Sequence, residues 1–259
     1  MADPTPQPEE QGFLSHLIEL RLRLVRASAA ILIVFVALSP FMREIFDLLS
    51  QPMMAALPLG TKLLATGVIA PFMVPLKITL FVALLVSLPY VLYQVWAFVA
   101  PGLYHHEKRL AAPVIVSSVA MFFLGIAYCY FVVFRVVFRF ITRFAPESVS
   151  VTPDIDAYFS FVLRMFVAFG VTFEVPIAVL LLVRLGVVSV ARLRQLRPYV
   201  IVGAFVVAAV FTPPDVLSQL LLALPLCVLF ELGVLLGALF GVGRSADATT
   251  PAPNPPDAD

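Results

Sequence analysis

Long uncharged stretches recur along this chain, and they leave few folds open to it. A hydrocarbon layer about 30 Å thick is crossed by roughly 20 apolar residues in an α-helix, and backbone polar groups inside it must be satisfied within the segment. Ala27 to Met42, Ile78 to Tyr104 and Leu110 to Phe134 carry no charge. Met165 to Val183 is broken only by Glu174, Pro198 to Pro214 is bounded by Arg197 and Asp215, and Val216 to Gly243 is broken only by Glu231. With 61% hydrophobic and 13% charged residues and a mean hydropathy of +1.03, the chain lies far outside the range of soluble domains. The expected fold is an all-α membrane protein of six transmembrane helices, with the last two spans short. Several of the 22 prolines fall inside apolar runs, so the helices are expected to be kinked and to form a bent, concave bundle.

Six crossings return both termini to one side, and the basic residues choose it. Arg21, Arg23, Arg26, Lys108, Arg109, Arg184, Arg192, Arg194, Arg197 and Arg244 fall on the terminal side. The remaining basic residues fall opposite, in two long loops (Arg43 to Lys77 and Arg135 to Arg164), where positive charge orients a membrane protein less strongly. Both ends are therefore expected in the cytoplasm, and the protein in the cytoplasmic membrane. A net charge of +1 argues against nucleic acid as a partner.

The beginning ADPTPQPEEQ is acidic and proline-rich where a cleavable signal would be basic, so the first span is read as its own anchor. Residues 1–12 are expected to be a disordered tail, 13–241 the membrane domain, and 242–259 a second disordered tail rich in Pro, Ala and Thr. Cys129 and Cys227 lie inside apolar spans and read as small apolar fillers, not as a disulfide or metal site.

Function must come from the few acidic residues. FLSHLIELRLRLVR alternates locally like a strand, but its length and the apolar run behind it favour a helix. On a helix Glu19 and Arg23 are four apart in the acid-first order that pairs best. The segment is either an interfacial helix with one surface ion pair or part of a receptor surface. Glu107, in FVAPGLYHHEKR, sits just before the third span, where a carboxylate suits the positive end of the coming helix. It also lies near Phe98, Leu103 and Tyr104, as Glu19 lies near Leu17 and Leu20, so a cationic and partly apolar peptide could fit between the two.

Glu174 has nine uncharged residues on either side between Arg164 and Arg184, which puts it near ~15 Å depth at about 1.5 Å per residue. A charged carboxylate there costs at least ~2.5 kcal/mol if it faces lipid. It is either a protonated group bonded to a carbonyl opened by Pro176, or a functional group. Pro198 to Phe211 supplies only about 21 Å of helix, too little to cross without thinning the bilayer. The turn Thr212-Pro213-Pro214-Asp215 is then pulled inward, and Gln219, about 6 Å below it, comes near the level of Glu174. Thr212, Gln219 and Glu174 are expected to form one polar cluster in the concave wall.

HLIELRLRL, YQVWAFVAPGLYHHEKR, FGVTFEVP and FTPPD occur in this order across the spans. Together they resemble the TatC family, the polytopic core of the twin-arginine protein translocase, over about Phe13 to Gly241. The resemblance implies a signal-peptide receptor that exports folded proteins using the proton-motive force. It implies recognition of paired arginines by Glu19, Arg21, Arg23, Phe98 and Glu107, and an outer cap containing Pro52 and Asp215. It also implies that the single-span proteins TatA and TatB pack on the face around Glu174, Thr212 and Gln219, with the chain a homo-oligomer within the complex. The ligand chemistry agrees, because a guanidinium presents a planar fork that a carboxylate accepts in a bidentate way, while lysine is a point charge.

Two other classes fit less well. A proton-coupled small-solute secondary transporter would also use a carboxylate such as Glu174, but such proteins usually carry an internal repeat, and none is visible. An intramembrane hydrolase would need a nucleophile and base within the membrane. His16, His105 and His106 lie outside the apolar spans, and neither a GxSxG element nor a P-loop is present. No catalytic residue, metal or cofactor is expected. The acidic residue Glu231 and the outer arginines Arg135, Arg139, Arg143 and Arg164 match no motif; the arginines are expected to snorkel to headgroups or pair locally.

Overall fold

The computed structural model describes residues 8–55, 63–99, 108–144, 152–212 and 215–240, and every element in it is helical apart from one isolated bridge between loops. Helix α1 (Pro8–Leu38) runs without a break through the N-terminal segment into the first span. It already begins inside the stretch expected to be a tail, while residues 242–259 lie outside the described residues. At Ser39–Phe41 the chain tightens into a short 3₁₀ turn: Pro40 removes a donor, and the Ser39 hydroxyl donates to the Phe35 carbonyl at 2.9 Å. Helix α2 (Met42–Met54) follows, with Pro52 inside it, so the first long loop is partly helical and shorter than the charges suggest.

Helix α3 (Ala70–Val99) contains Pro75 and Pro89 and packs along α1. Helix α4 (Lys108–Tyr128) continues through a π-turn at Cys129–Val133 into α5 (Phe134–Phe144). The described part of this loop ends with α6 (Ile155–Phe173), the most enclosed helix, whose face includes Phe159, Val162, Met165 and Phe169, all at most 2% exposed. In lipid the hydrophobic effect does not drive helices together, so this core is held by shape and dispersion. Phe134, Phe138, Phe161 and Phe166 stack or tilt against one another where α5 meets α6. A Cβ on Gly125 would stand 2.6 Å from the Phe169 carbonyl oxygen, so only glycine lets α4 approach α6 this closely.

The fourth span is interrupted where its one carboxylate sits. Helix α6 stops at Phe173, Glu174 occupies the junction, and α7 (Val175–Arg184) opens with Pro176 in its first turn. Pro176 has no N–H to give to the preceding turn, which ends one helix and starts the next. Gly186, at φ +71°, closes α7 in the left-handed conformation. A short α8 (Val190–Gln195) is capped by the Ser189 hydroxyl, which accepts from the Arg192 N–H at 3.2 Å. Helices α9 (Arg197–Phe211) and α10 (Val216–Phe240) form the final hairpin.

Among the described residues, five helical stretches are long and apolar enough to cross a membrane: Leu17–Met54, Ala70–Phe98, Ala112–Arg143, Ile155–Arg184 and Val216–Phe240. Helix α9, with 15 residues, falls below that length. This corrects the expectation that the last two spans are both short: α9 is short, and α10 runs for 25 residues. Glutamate is a good helix former, so Glu231 does not interrupt α10, and its carboxylate accepts from Arg197 Nη2 at 2.6 Å. The supported architecture is an all-α, multi-span bundle of bent helices.

The loops at the end of the bundle that carries α2 and α5 are joined to each other. Leu64 N–H donates to the Pro153 carbonyl at 2.9 Å, and Ile155 N–H to the Leu64 carbonyl at 2.8 Å. Asp154 then caps α6 through the Ala157 N–H at 2.9 Å while its other oxygen accepts from the Thr66 hydroxyl at 2.6 Å and the Thr66 N–H at 3.1 Å. Led by the Thr66 hydroxyl, these bonds hold the Asp154 carboxyl down at about 2, below its ordinary 3.8. Beside them Lys77 pairs with Asp156 at 2.9 Å.

Candidate functional site

Two carboxylate sites emerge, and the C-terminal part of α3 reaches both. At the first, Glu19 lies one turn before Arg23 on α1. Arg23 donates from Nε at 3.0 Å and from Nη2 at 2.5 Å, both to Glu19 Oε1. Its Nη1 reaches Gln94 Oε1 on α3 at 3.4 Å. Gln94 is only 5% exposed, so Arg23 is held between its own helix and a buried anchor. Glu19 is partly exposed, and its Oε2 has no hydrogen-bond partner among the described residues. The arrangement leaves an oriented carboxylate with one open oxygen, suited to a second guanidinium.

The other residues expected at this site divide among three positions. Phe98 lies one turn beyond Gln94 on α3, half-buried, at the same end as Glu19. Arg21 is exposed and lies two residues from both Glu19 and Arg23, roughly on the opposite side of α1. Glu107 lies outside the described residues. Gln94 was not singled out from the sequence, although it is the lone amide in the uncharged run before Pro101.

At the second site Glu174 does not bond a carbonyl near Pro176. Its Oε2 accepts from the Ser118 hydroxyl on α4, and Ser118 Oγ accepts from Trp96 Nε1 on α3 at 2.8 Å. Ser118 is fully buried. The remaining oxygen, Glu174 Oε1, is buried without a partner among the described residues. Such a group is costly to leave unmade, and it is where a further donor or acceptor would be accommodated. Neither Ser118 nor Trp96 was expected. Their link was legible only as polar groups inside apolar runs.

Thr212, Gln219 and Glu174 are not hydrogen-bonded to one another among the described residues. Thr212 Oγ1 donates to the Ala208 carbonyl of its own helix at 2.8 Å, and Gln219 Nε2 donates across the hairpin to the Phe205 carbonyl at 3.2 Å. Each settles a local backbone acceptor. Of the two cap residues, Pro52 is half-buried in α2, and Asp215 caps α10 by accepting from the Ser218 N–H at 2.7 Å. Cys129 and Cys227 are free thiols.

Span-length helices, a mid-span helix break at a carboxylate, and an ion pair anchored at one bundle end define a polytopic membrane protein. The family model described as "Sec-independent protein translocase protein (TatC)" matches residues 15–225. The Sec-independent protein translocase protein TatC of Azotobacter chroococcum mcd 1 is 53% identical over 230 residues, covering 89% of this chain and 90% of that protein. Its counterpart in Escherichia coli strain K12 is 49% identical over 240 residues, covering 92% and 93%. A crystal structure of the twin arginine translocase receptor TatC superposes with a TM-score of 0.77 at 37% identity, covering 86% of this chain and 98% of that one. The chain belongs to the TatC family and is a translocase component of the inner membrane, not an enzyme.

Proposed function

We propose that this chain, as receptor and core subunit of the twin-arginine translocation system that exports folded proteins, reads the paired arginines of an export signal with Glu19 and Glu107. The observation that carries the reading is the geometry at Glu19: Arg23, itself bonded to buried Gln94, holds the carboxylate through one oxygen, and the other has no partner among the described residues. A signal guanidinium binds that oxygen, Phe98 offers apolar surface one turn beyond Gln94, and Arg21 adds positive charge on the opposite side of α1. Each charge-assisted hydrogen bond contributes roughly 1.5–3 kcal/mol, so loss of one carboxylate weakens binding by about tenfold or more.

The same reading places both termini in the cytoplasm. Six crossings satisfy it, with α9 crossing as a helix of about 22 Å that thins the bilayer beside it. Basic residues on the terminal side support this orientation. Pro52 and Asp215 then belong to an outer cap. The partners TatA and TatB dock on the concave mid-membrane face around Glu174, Thr212 and Gln219; the support for this is the buried Glu174 Oε1, which has no partner among the described residues and gains one if docking shifts the helices around it. Several copies of the chain share one complex, driven by the proton-motive force.

The test is peptide binding by the purified full-length protein carrying Glu19→Ala, Glu107→Ala or both. Loss of twin-arginine peptide affinity in a folded double variant supports the reading. Wild-type affinity in that variant, or equal affinity for a twin-lysine peptide, overturns it.

A further inference from the structure

We infer that the cleft between α2 and the π-turn–α5 segment binds the phosphodiester headgroup of an anionic glycerophospholipid. The cleft has a volume of about 470 Å³ and is lined by Gln51, Pro52, Tyr130, Phe131, Arg135 and Arg139. Arg135 and Arg139 are one helical turn apart and exposed. Neither guanidinium has an ion pair or a hydrogen bond among the described residues. Two guanidiniums lining one hollow, with no partner among the described residues, call for a ligand with negative charge and several acceptor oxygens.

Depth selects a lipid as that ligand. Arg135 lies about 35 Å along the span from Ala112 and Arg139 about 40 Å, just past a hydrocarbon layer of about 30 Å. One turn below Arg135, Phe131 is 63% exposed and lies near the hydrocarbon boundary. The cleft therefore runs from an apolar floor at acyl-chain level to two cations at phosphate level, the polarity of a lipid standing upright in its own leaflet. Gln51 at the rim supplies a neutral donor for headgroup oxygens. On the orientation proposed above this is the outer leaflet, but the binding itself does not depend on that orientation.

The shared chemistry is a phosphate oxygen between two arginines, which a free anion could also supply, so the experiment separates the two. The full-length protein is titrated with dioleoyl phosphatidylglycerol, dioleoyl phosphatidylcholine and glycerophosphoglycerol, and binding is read by native mass spectrometry. The expected result is one phosphatidylglycerol bound about tenfold or more tightly than phosphatidylcholine, with the chain-free headgroup failing to bind. Arg135→Gln with Arg139→Gln should erase the preference, whereas Arg164→Gln should keep it. A preference that survives the double substitution overturns the inference, as does headgroup binding as tight as that of the lipid. A photo-crosslinker replacing Phe131, in a protein with both arginines intact, should label lipid in native membranes; a polypeptide adduct there would overturn it independently.

Discussion

Arg23 spends two of its donors on a single oxygen of Glu19 and reaches across to Gln94 on the neighbouring helix. Arg23 is thus a positioning residue for the carboxylate, and an incoming guanidinium joins an existing charge cluster. Arg23→Ala should therefore not improve peptide binding by freeing Glu19. The expected outcome is a loss of a few fold, smaller than the loss of about tenfold or more for Glu19→Ala, because the carboxylate remains but loses its fixed direction. Isothermal titration with twin-arginine and twin-lysine peptides checks both the order and the discrimination.

Ser118 is the donor that holds Glu174, and Trp96 holds Ser118. Ser118→Ala removes the hydroxyl and leaves Glu174 Oε2 without that partner, at a cost of about 1–3 kcal/mol for a buried acceptor. Both Ser118→Ala and Glu174→Ala are expected to leave signal-peptide affinity within about twofold, an energy change below the ~1.4 kcal/mol of a tenfold shift. Glu174→Ala should weaken co-purification of the single-span partners and reduce transport. Unchanged partner crosslinking from position 219 in Glu174→Ala would contradict the docking role.

Gly125 marks the closest approach of α4 to α6. Gly125→Leu has no room beside the Phe169 carbonyl, 2.6 Å from the first added carbon, and overpacking of this kind costs about 1–3 kcal/mol. The detergent-purified variant should show a lower melting temperature than wild type. Gly203→Ala, where an added carbon meets nothing within 4 Å, should not.

The Asp154 latch gives a pH prediction with a definite sign. Its carboxyl titrates at about 2 in the folded protein against an ordinary 3.8. A depressed acid stabilises most when ionised, so the contribution is fully present above the ordinary value and disappears as pH falls through about 2. Acidification to pH 5 should therefore leave the Thr66 amide protected from hydrogen exchange. Asp154→Ala should expose it at neutral pH, together with the Ala157 amide.

The spans were legible because a crossing helix must be uncharged along its length, and the runs from Ile78 and Leu110 declare themselves on that ground alone. What misled the reading was charge that is neutralised at a distance. Glu231 puts a charge in the last span, yet α10 continues through it, and Arg197, 34 residues earlier, pairs with it. Thr66 and Asp154 are 88 residues apart, so nothing local announces that the two loops join. Glu19 with Arg23 was visible because helical spacing is local; Gln94 and Ser118 were not, because a single polar residue in an apolar run does not say which neighbour it will meet. Glu174 was visible as an intramembrane acid, but its partner was misjudged, since hydrogen bonding across helices depends on packing angles that residue counts do not carry.

Gln94 and Trp96 stand two residues apart on α3, one tied to the α1 ion pair and the other to the chain of bonds ending at Glu174. A twist or slide of that stretch of α3 would displace both anchors. On the roles proposed for Glu19 and Glu174, a grip at the membrane surface and a contact deeper in the bilayer would lean on one short shaft.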